Sequence, residues 1–291
     1  MTHTGESLGR RALRRLLRDP FAITSFVITL LYLLTALGVA LKWLPIDINA
    51  NVGASYGPPN WHHLLGTDIF GRDVLARVIH GAKIAMSVGF VSTLIAVPIG
   101  VLLGALAGYF GGKTDSLIVW FYSTLSSIPY LLLLLALAFV LGKGIVSVYI
   151  ALGVTSWVDI CRVVRGETLK LRERDYVAAA RAVGAGQARI ILRHILPNVL
   201  PLLFISASLL FVSAIKAEVI LSYLGVGVQG EPSWGIMISD ARLELIGRGV
   251  WWQLVGATAA MFVIILALNV LADSLRDAFD PRLAGNMKKG G

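Results

Sequence analysis

The chain has 291 residues, 56% hydrophobic against 15% charged, and a formal net charge of +9. A mean hydropathy of +0.76 excludes a soluble globular domain. The single cysteine, Cys161, cannot close an internal disulfide and reads as a small residue at the inner membrane edge.

A bilayer core of about 30 Å takes about 20 apolar residues as a helix, and six stretches are judged against that length. Residues 1–20 come first: Arg10, Arg11, Arg14, Arg15 and Arg18 alternate with Leu13, Leu16 and Leu17. That pattern suits a basic amphipathic tail on the cytoplasmic leaflet, and equally a disordered basic anchor. The uncharged run Phe21–Leu41 predicts a first transmembrane helix over 21–43. It is too long for a cleavable signal peptide and lacks a convincing small-residue cleavage site before Lys42. An outer loop over 44–83 follows, turn-rich between Asn49 and Pro59. Within it, Asp73 leads Val74, Leu75, Val78 and Ile79, an apolar face that predicts an interfacial helix. Trp43 and Trp61 sit as interfacial anchors, as do Trp251 and Trp252.

Five further spans make a core over 84–272. Ile84–Phe110 carries Gly100, Gly104 and Gly108 at GxxxG spacing, a small face for close packing. The neighbour could lie in this chain or in a partner subunit. Ser116–Gly142 is uncharged, and Pro98 and Pro129 predict kinks in their spans. Gly144–Val158 is short for a span and extends through Asp159, whose carboxylate can meet Arg162 or the headgroups. A basic loop over 161–197 leads to Asn198–Ile215. Near the outer end of that fifth span, Lys216 and Glu218 are two apart and point to different sides. They could line an outer vestibule, or simply reach the interface or a neighbouring subunit. An outer loop over 222–249, the span Val250–Ala272 and a tail over 273–291 complete the chain. The fold class is all-α and polytopic.

Positive charge sets the orientation, because cytoplasmic loops retain it. Of 26 lysines and arginines, 18 lie in 1–20, 109–115, 161–197 and 273–291. Both termini are therefore expected in the cytoplasm of a multi-pass cell-membrane protein. The charge reads as topology and anionic-lipid contact, with no nucleic-acid footprint.

Two phosphate-binding patterns fire without their context. Gly225-Val-Gly227-Val-Gln-Gly230 matches a dinucleotide fingerprint but follows a membrane span and runs into Glu231-Pro232. AGYFGGKT, residues 107–114, misses a P-loop by one glycine and joins two spans. His3, His62, His63, His80 and His194 are scattered, so no metal site is read. No catalytic constellation and no cofactor are assigned to this chain.

The segment Asp175–Pro197, DYVAAARAVGAGQARIILRHILP, is the basic amphipathic exception to an apolar chain. Tyr176, Val177, Ala180 and Val183 recur at helical spacing beside small Ala178 and Ala179. Gly184 and Gly186 break the pattern, and a second helical run carries Ile190, Ile191, His194 and Ile195 to one face until Pro197 ends it. A helix, turn and helix on the membrane surface would offer itself to a soluble partner.

This segment resembles the "EAA" coupling loop of ABC-importer permeases. Ala178-Ala179-Ala180, Gly184, Leu196 and Pro197 fall in register with that pattern, while Ala178 stands at the Glu position and His194 at the Ile position. Leu65–Lys83, Leu221–Arg242 and Asn269–Leu283 are similar to stretches of the dipeptide, oligopeptide and nickel permeases. The resemblance implies a coupling helix between spans 4 and 5, with Tyr176, Val177, Ala178, Ala179, Ala180, Arg181, Gly184, Ala185, Ile190, His194, Leu196 and Pro197 facing or serving an ATPase. It also implies a paralogous permease, one or two ATPase subunits that use ATP and Mg2+, and an external substrate-binding protein. Peptides are the implied cargo; nickel, a metallophore or another small solute is the alternative within the family. A non-transporting scaffold and a membrane enzyme are the rivals outside transport.

Overall fold

The computed structural model describes residues 14–279. Most of the expected basic tail helix, 1–13, and the end of the chain, 280–291, lie outside the described residues. Within them every named element is helical, apart from isolated bridges pairing Asn51 with Arg72 and Thr67 with Asp73.

Helix α1, Pro20–Ala40, starts where the Asp19 carboxylate accepts from the Phe21 N–H and Pro20 takes a first-turn position. It packs on two later helices at the edge of the bundle, with Tyr32 donating 2.9 Å to the Ala260 carbonyl. Phe21, Phe26, Leu31 and Leu34 point outward, as suits a lipid-facing helix.

Helix α2, Val74–Phe110, is capped by the Asp73 carboxylate on the Ala76 N–H and runs 37 residues. The interfacial helix read from the sequence is therefore no separate element; it forms the first turns of the second span. Gly81 keeps that junction helical by admitting the Trp234 indole, which would lie 2.5 Å from a Cβ there. Pro98 sits inside α2 without ending it.

Pro129 acts more strongly. Helix α3, Gly112–Ser126, and helix α4, Tyr130–Leu141, meet at 87° across it, so the third span is broken rather than kinked. Proline has no N–H to continue the ladder and disfavours helical geometry in the residue before it. The fourth span is also jointed: α5, Ile145–Thr155, passes through Ser156 into α6, Trp157–Leu171. The expected loop 161–197 thus opens with an extension of the span itself. Short helices α7, Asp175–Ala182, and α8, Gln187–Ile190, lead through a π turn at Ile191–Ile195 into α9, Leu196–Tyr223. Outer helix α10, Trp234–Arg248, and α11, Trp252–Phe279, follow. Five of these stretches are long and apolar enough to cross a membrane alone, and the broken α3–α4 pair makes a sixth.

The most extensive helix pair is α2 with α6. Its seam is the glycine stripe, and the neighbour left open by the sequence lies in this same chain. A Cβ on Gly100 would stand 2.6 Å from Ile160 Cβ, one on Gly104 2.7 Å from the Cys161 carbonyl, and one on Gly108 2.6 Å from Thr168 Cβ. Two backbones meet only because those three positions are empty. Replacing Gly104 with leucine should cost about 1–3 kcal/mol through overpacking. Gly166, on the same α6 but with nothing within 4 Å of its Cβ position, should accept alanine without loss. Thermal unfolding in detergent checks this: equal midpoints for the two variants would contradict the seam.

Candidate coupling surface and membrane cavity

Helix α7 shows how eight residues present one face and bury the other. Val177 is fully buried and Ala180 nearly so, packed into a cluster with Ala107 and Tyr109 of α2, Val164 of α6 and Ile190, Ile195 and Val199 beyond. Tyr176, Ala178, Ala179, Arg181 and Ala182 remain exposed, and Val183 at the tip is 85% exposed. An apolar residue held that far into water at a turn suits contact with another surface.

The turn itself is built by Gly184. Its N–H bonds the Arg181 carbonyl at 3.0 Å and the Ala185 N–H bonds the Ala180 carbonyl at 3.0 Å, a Schellman closure with Gly184 at φ +83°. No atom stands within 4 Å of a Cβ at Gly184, so backbone angle, not space, selects glycine. Ala185 is half-buried at the edge of the inner cluster.

From that turn the chain passes through α8 into α9. The Leu196 N–H reaches back five residues to Ile191, a π turn that absorbs the register change. Pro197 does not end this run: it occupies the first turn of α9, where a missing N–H costs little, and the helical path continues to Tyr223. His194 is half-buried, its ring 6.5 Å from that of Tyr176, and its carbonyl accepts 2.7 Å from Asn198 Nδ2. Three arginines tie the neighbouring inner ends together. Arg181 lies 5.5 Å over the Tyr109 ring, Arg172 donates 3.0 Å to the Gly108 carbonyl, and Arg165 makes a two-pronged pair with Asp115, one arm at 2.7 Å.

A cavity of about 610 Å³ lies where the two helix breaks meet the middle of α9. Ser126, Pro129, Tyr130, Thr155, Ser156, Asp159, Ser206 and Ser213 line it, among Leu125, Ile128, Leu133, Val158, Leu209 and Leu210. Pro129 and Asp159 were legible signals for this site, but not the serines. Ser206 and Ser213, seven apart in the fifth span, share a helical face and were the missed clue.

The outer side corrects one expectation. Glu218 does not line an open vestibule: it is 1% exposed, accepts 2.7 Å from Ser222 Oγ, and is closed over by the following loop, whose Val228 N–H bonds the same hydroxyl. Lys216, on another face, is exposed. Around them, Trp234 Nε1 donates to the Val78 carbonyl, Trp252 Nε1 to that of Thr67, and Lys83 pairs with Glu231 at 2.7 Å. Asp68 is buried, paired with Arg72 at 2.7 Å and approached by Arg77 at 3.6 Å. The phosphate-like patterns serve turns. Gly225 and Gly230 take positive φ after α9, and Gly111 and Gly112 do so between α2 and α3.

Residues 100–285 match the family described as binding-protein-dependent transport system inner membrane component. The chain belongs to this family. The dipeptide transport system permease protein DppC of Bacillus subtilis is 37% identical over 274 residues, covering 94% of this chain and 85% of that protein. The oligopeptide transport system permease protein OppC of Haemophilus influenzae is 37% identical over 283 residues, covering 96% and 90%. An inward-facing structure of the MetNI methionine ABC transporter shares the fold at a TM-score of 0.53 and 20% identity, covering 70% of this chain and 96% of the other. The chain is a permease subunit of an ABC importer.

One carboxylate of the permease's outer lobe is set apart by its surroundings. Glu244 on α10 is 7% exposed, and one of its oxygens is buried without a hydrogen-bond partner. Burial pushes its carboxyl up to about 6, Asp68 and Asp240 adding to the rise and Arg77 and Arg72 opposing it. A raised acid binds its proton more tightly folded than unfolded. Its contribution is therefore fully present below about pH 4.5 and lost as pH rises through about 6. Thermal stability of the purified permease should fall across that window, by up to roughly 2 kcal/mol. In Glu244→Gln that component of the slope should vanish; an unchanged slope would contradict the assignment.

Proposed function

We propose that this permease carries peptides, and that its cavity is one side of a path completed by a paralogous permease. ATP and Mg2+ act in one or two partner ABC ATPase subunits, and an external substrate-binding protein delivers the cargo to the outer lobe. Both termini lie in the cytoplasm, a reading supported by the clustering of arginine and lysine on the side of α7. The peptide assignment is supported by relatives whose names specify dipeptide and oligopeptide transport.

The observation that carries the coupling role is the make-up of α7. Its outer face offers Tyr176, Ala179 and Val183 to a groove, while Val177 and Ala180 belong to the same packed cluster as Ile195 and Val199 at the base of α9. An ATPase closing on the outer face would therefore push a packed unit rather than a loose loop. Closure and release then rock this half against its partner between inward and outward openings. The chain transmits the stroke and shapes the path; hydrolysis belongs to the partner.

Gly184→Val tests this directly. A β-branched residue at φ +83° costs about 1–2 kcal/mol and should unseat the tip. Membrane insertion should persist, while ATP-driven peptide uptake by the reconstituted importer should fall at least about tenfold, equivalent to roughly 1.4 kcal/mol of coupling. Uptake at the wild-type rate would sink the coupling role.

A further inference from the structure

The cavity at the helix breaks holds a single carboxylate among hydroxyls, inside a span where charge is costly. Asp159 stands in the first turn of α6, immediately after the Ser156 joint, with its side chain 90% exposed. Its nearest cation, Arg162, lies 3.7 Å away, beyond the length of a charge-assisted hydrogen bond. Arg162 is instead engaged elsewhere: it donates 2.7 Å to Ser126 Oγ and lies 5.0 Å over the Tyr122 ring. Asp115 on α3 is saturated by Arg165. Asp159 thus lines the cavity as an exposed carboxylate with no close charge-assisted hydrogen bond.

The hydroxyls around it complete a recognisable chemistry. Tyr130 Oη and Ser156 Oγ lie 3.3 Å apart on the same wall, and Ser206 and Ser213 face them from α9. An exposed carboxylate accepts only, whereas hydroxyls both donate and accept. The complement is a cationic donor followed by a chain of amide groups, above an apolar wall of Leu125, Leu133 and Leu209. The volume lies within the range of about 300–1,000 Å³ usual for small-ligand sites.

Resting on the peptide reading, we propose that Asp159 receives the free α-ammonium of a peptide in transit, with Tyr130, Ser156, Ser206 and Ser213 bonding its first amide groups. Asp159 is then a specificity-determining residue of the path, separate from the choice made by the binding protein. Arg162, held by Ser126 and Tyr122, stays 3.7 Å from Asp159 and leaves the carboxylate open to the ligand.

The test uses the complete importer in proteoliposomes, with binding protein and ATP, and a radiolabelled dipeptide bearing a free amino terminus. Asp159→Asn should lower uptake at least about tenfold. ATP hydrolysis stimulated by the loaded binding protein should stay near wild type, because α7 and its cluster are untouched. Asp159→Glu should restore most of the uptake, which a merely structural role would not require. Ser206→Cys, added to the wild-type chain, should react with a small maleimide more slowly when the dipeptide is supplied. Uptake in Asp159→Asn equal to wild type would overturn the proposal, as would parallel loss of uptake and stimulated hydrolysis. If the wild-type importer moved no dipeptide while its binding protein was competent, the peptide reading would fail first, and the ligand named here with it.

Discussion

The close approach of α2 to α6 along Gly100, Gly104 and Gly108 is the constraint on which the remaining architecture depends. In a lipid environment helices gain little from hiding apolar surface, so van der Waals contact must supply the association. Three absent side chains bring backbone within reach of backbone and fix the register of the second span against the fourth. Arg172, donating to the Gly108 carbonyl, marks the point where this seam ends. Beyond it the chain turns at once into α7.

That seam gives α7, the proposed coupling helix, something rigid to push against. Val177 and Ala180 sit in the same packed cluster as Ile160 and Val164 of the seam and Val199 at the base of α9. Packed interiors transmit displacement because they have little free volume to absorb it. The breaks at Pro129 and Ser156 border the cavity, whose wall shares Val158, Ile160 and Leu210 with this cluster. The arrangement therefore sets a dense packed cluster beside jointed helices that border a polar hollow. The outer lobe is a third unit, held by Trp234, Trp252 and the Lys83–Glu231 pair over the ends of α2 and α11.

Much of this was legible in the sequence because the signals are local. Uncharged runs of membrane length, the spacing of three glycines, and the alternation of buried and exposed positions in 175–184 are all set by neighbours along the chain. The failures share a cause: each depended on particular contacts rather than on the pattern of residue types. The expected interfacial helix after Asp73 merged with the second span because Trp234 fills the space beside Gly81. Pro197 looked like a stop, yet a π turn before it let the helix run on. Glu218, readable as a vestibule or an interface residue, is instead closed over by the loop through Val228. The serines of the cavity were unreadable singly, since a hydroxyl in a span bonds its own backbone as readily as a ligand.

The central claim is that this chain transmits an ATPase stroke as one half of a two-permease path. Affinity purification of the tagged chain from native membranes, followed by mass spectrometry of the intact complex, tests it most directly. The account predicts one copy of this chain with one related permease, two ATPase subunits of one or two kinds, and capture of a peptide-loaded binding protein. A chain recovered alone, even after cross-linking in intact cells, would contradict it.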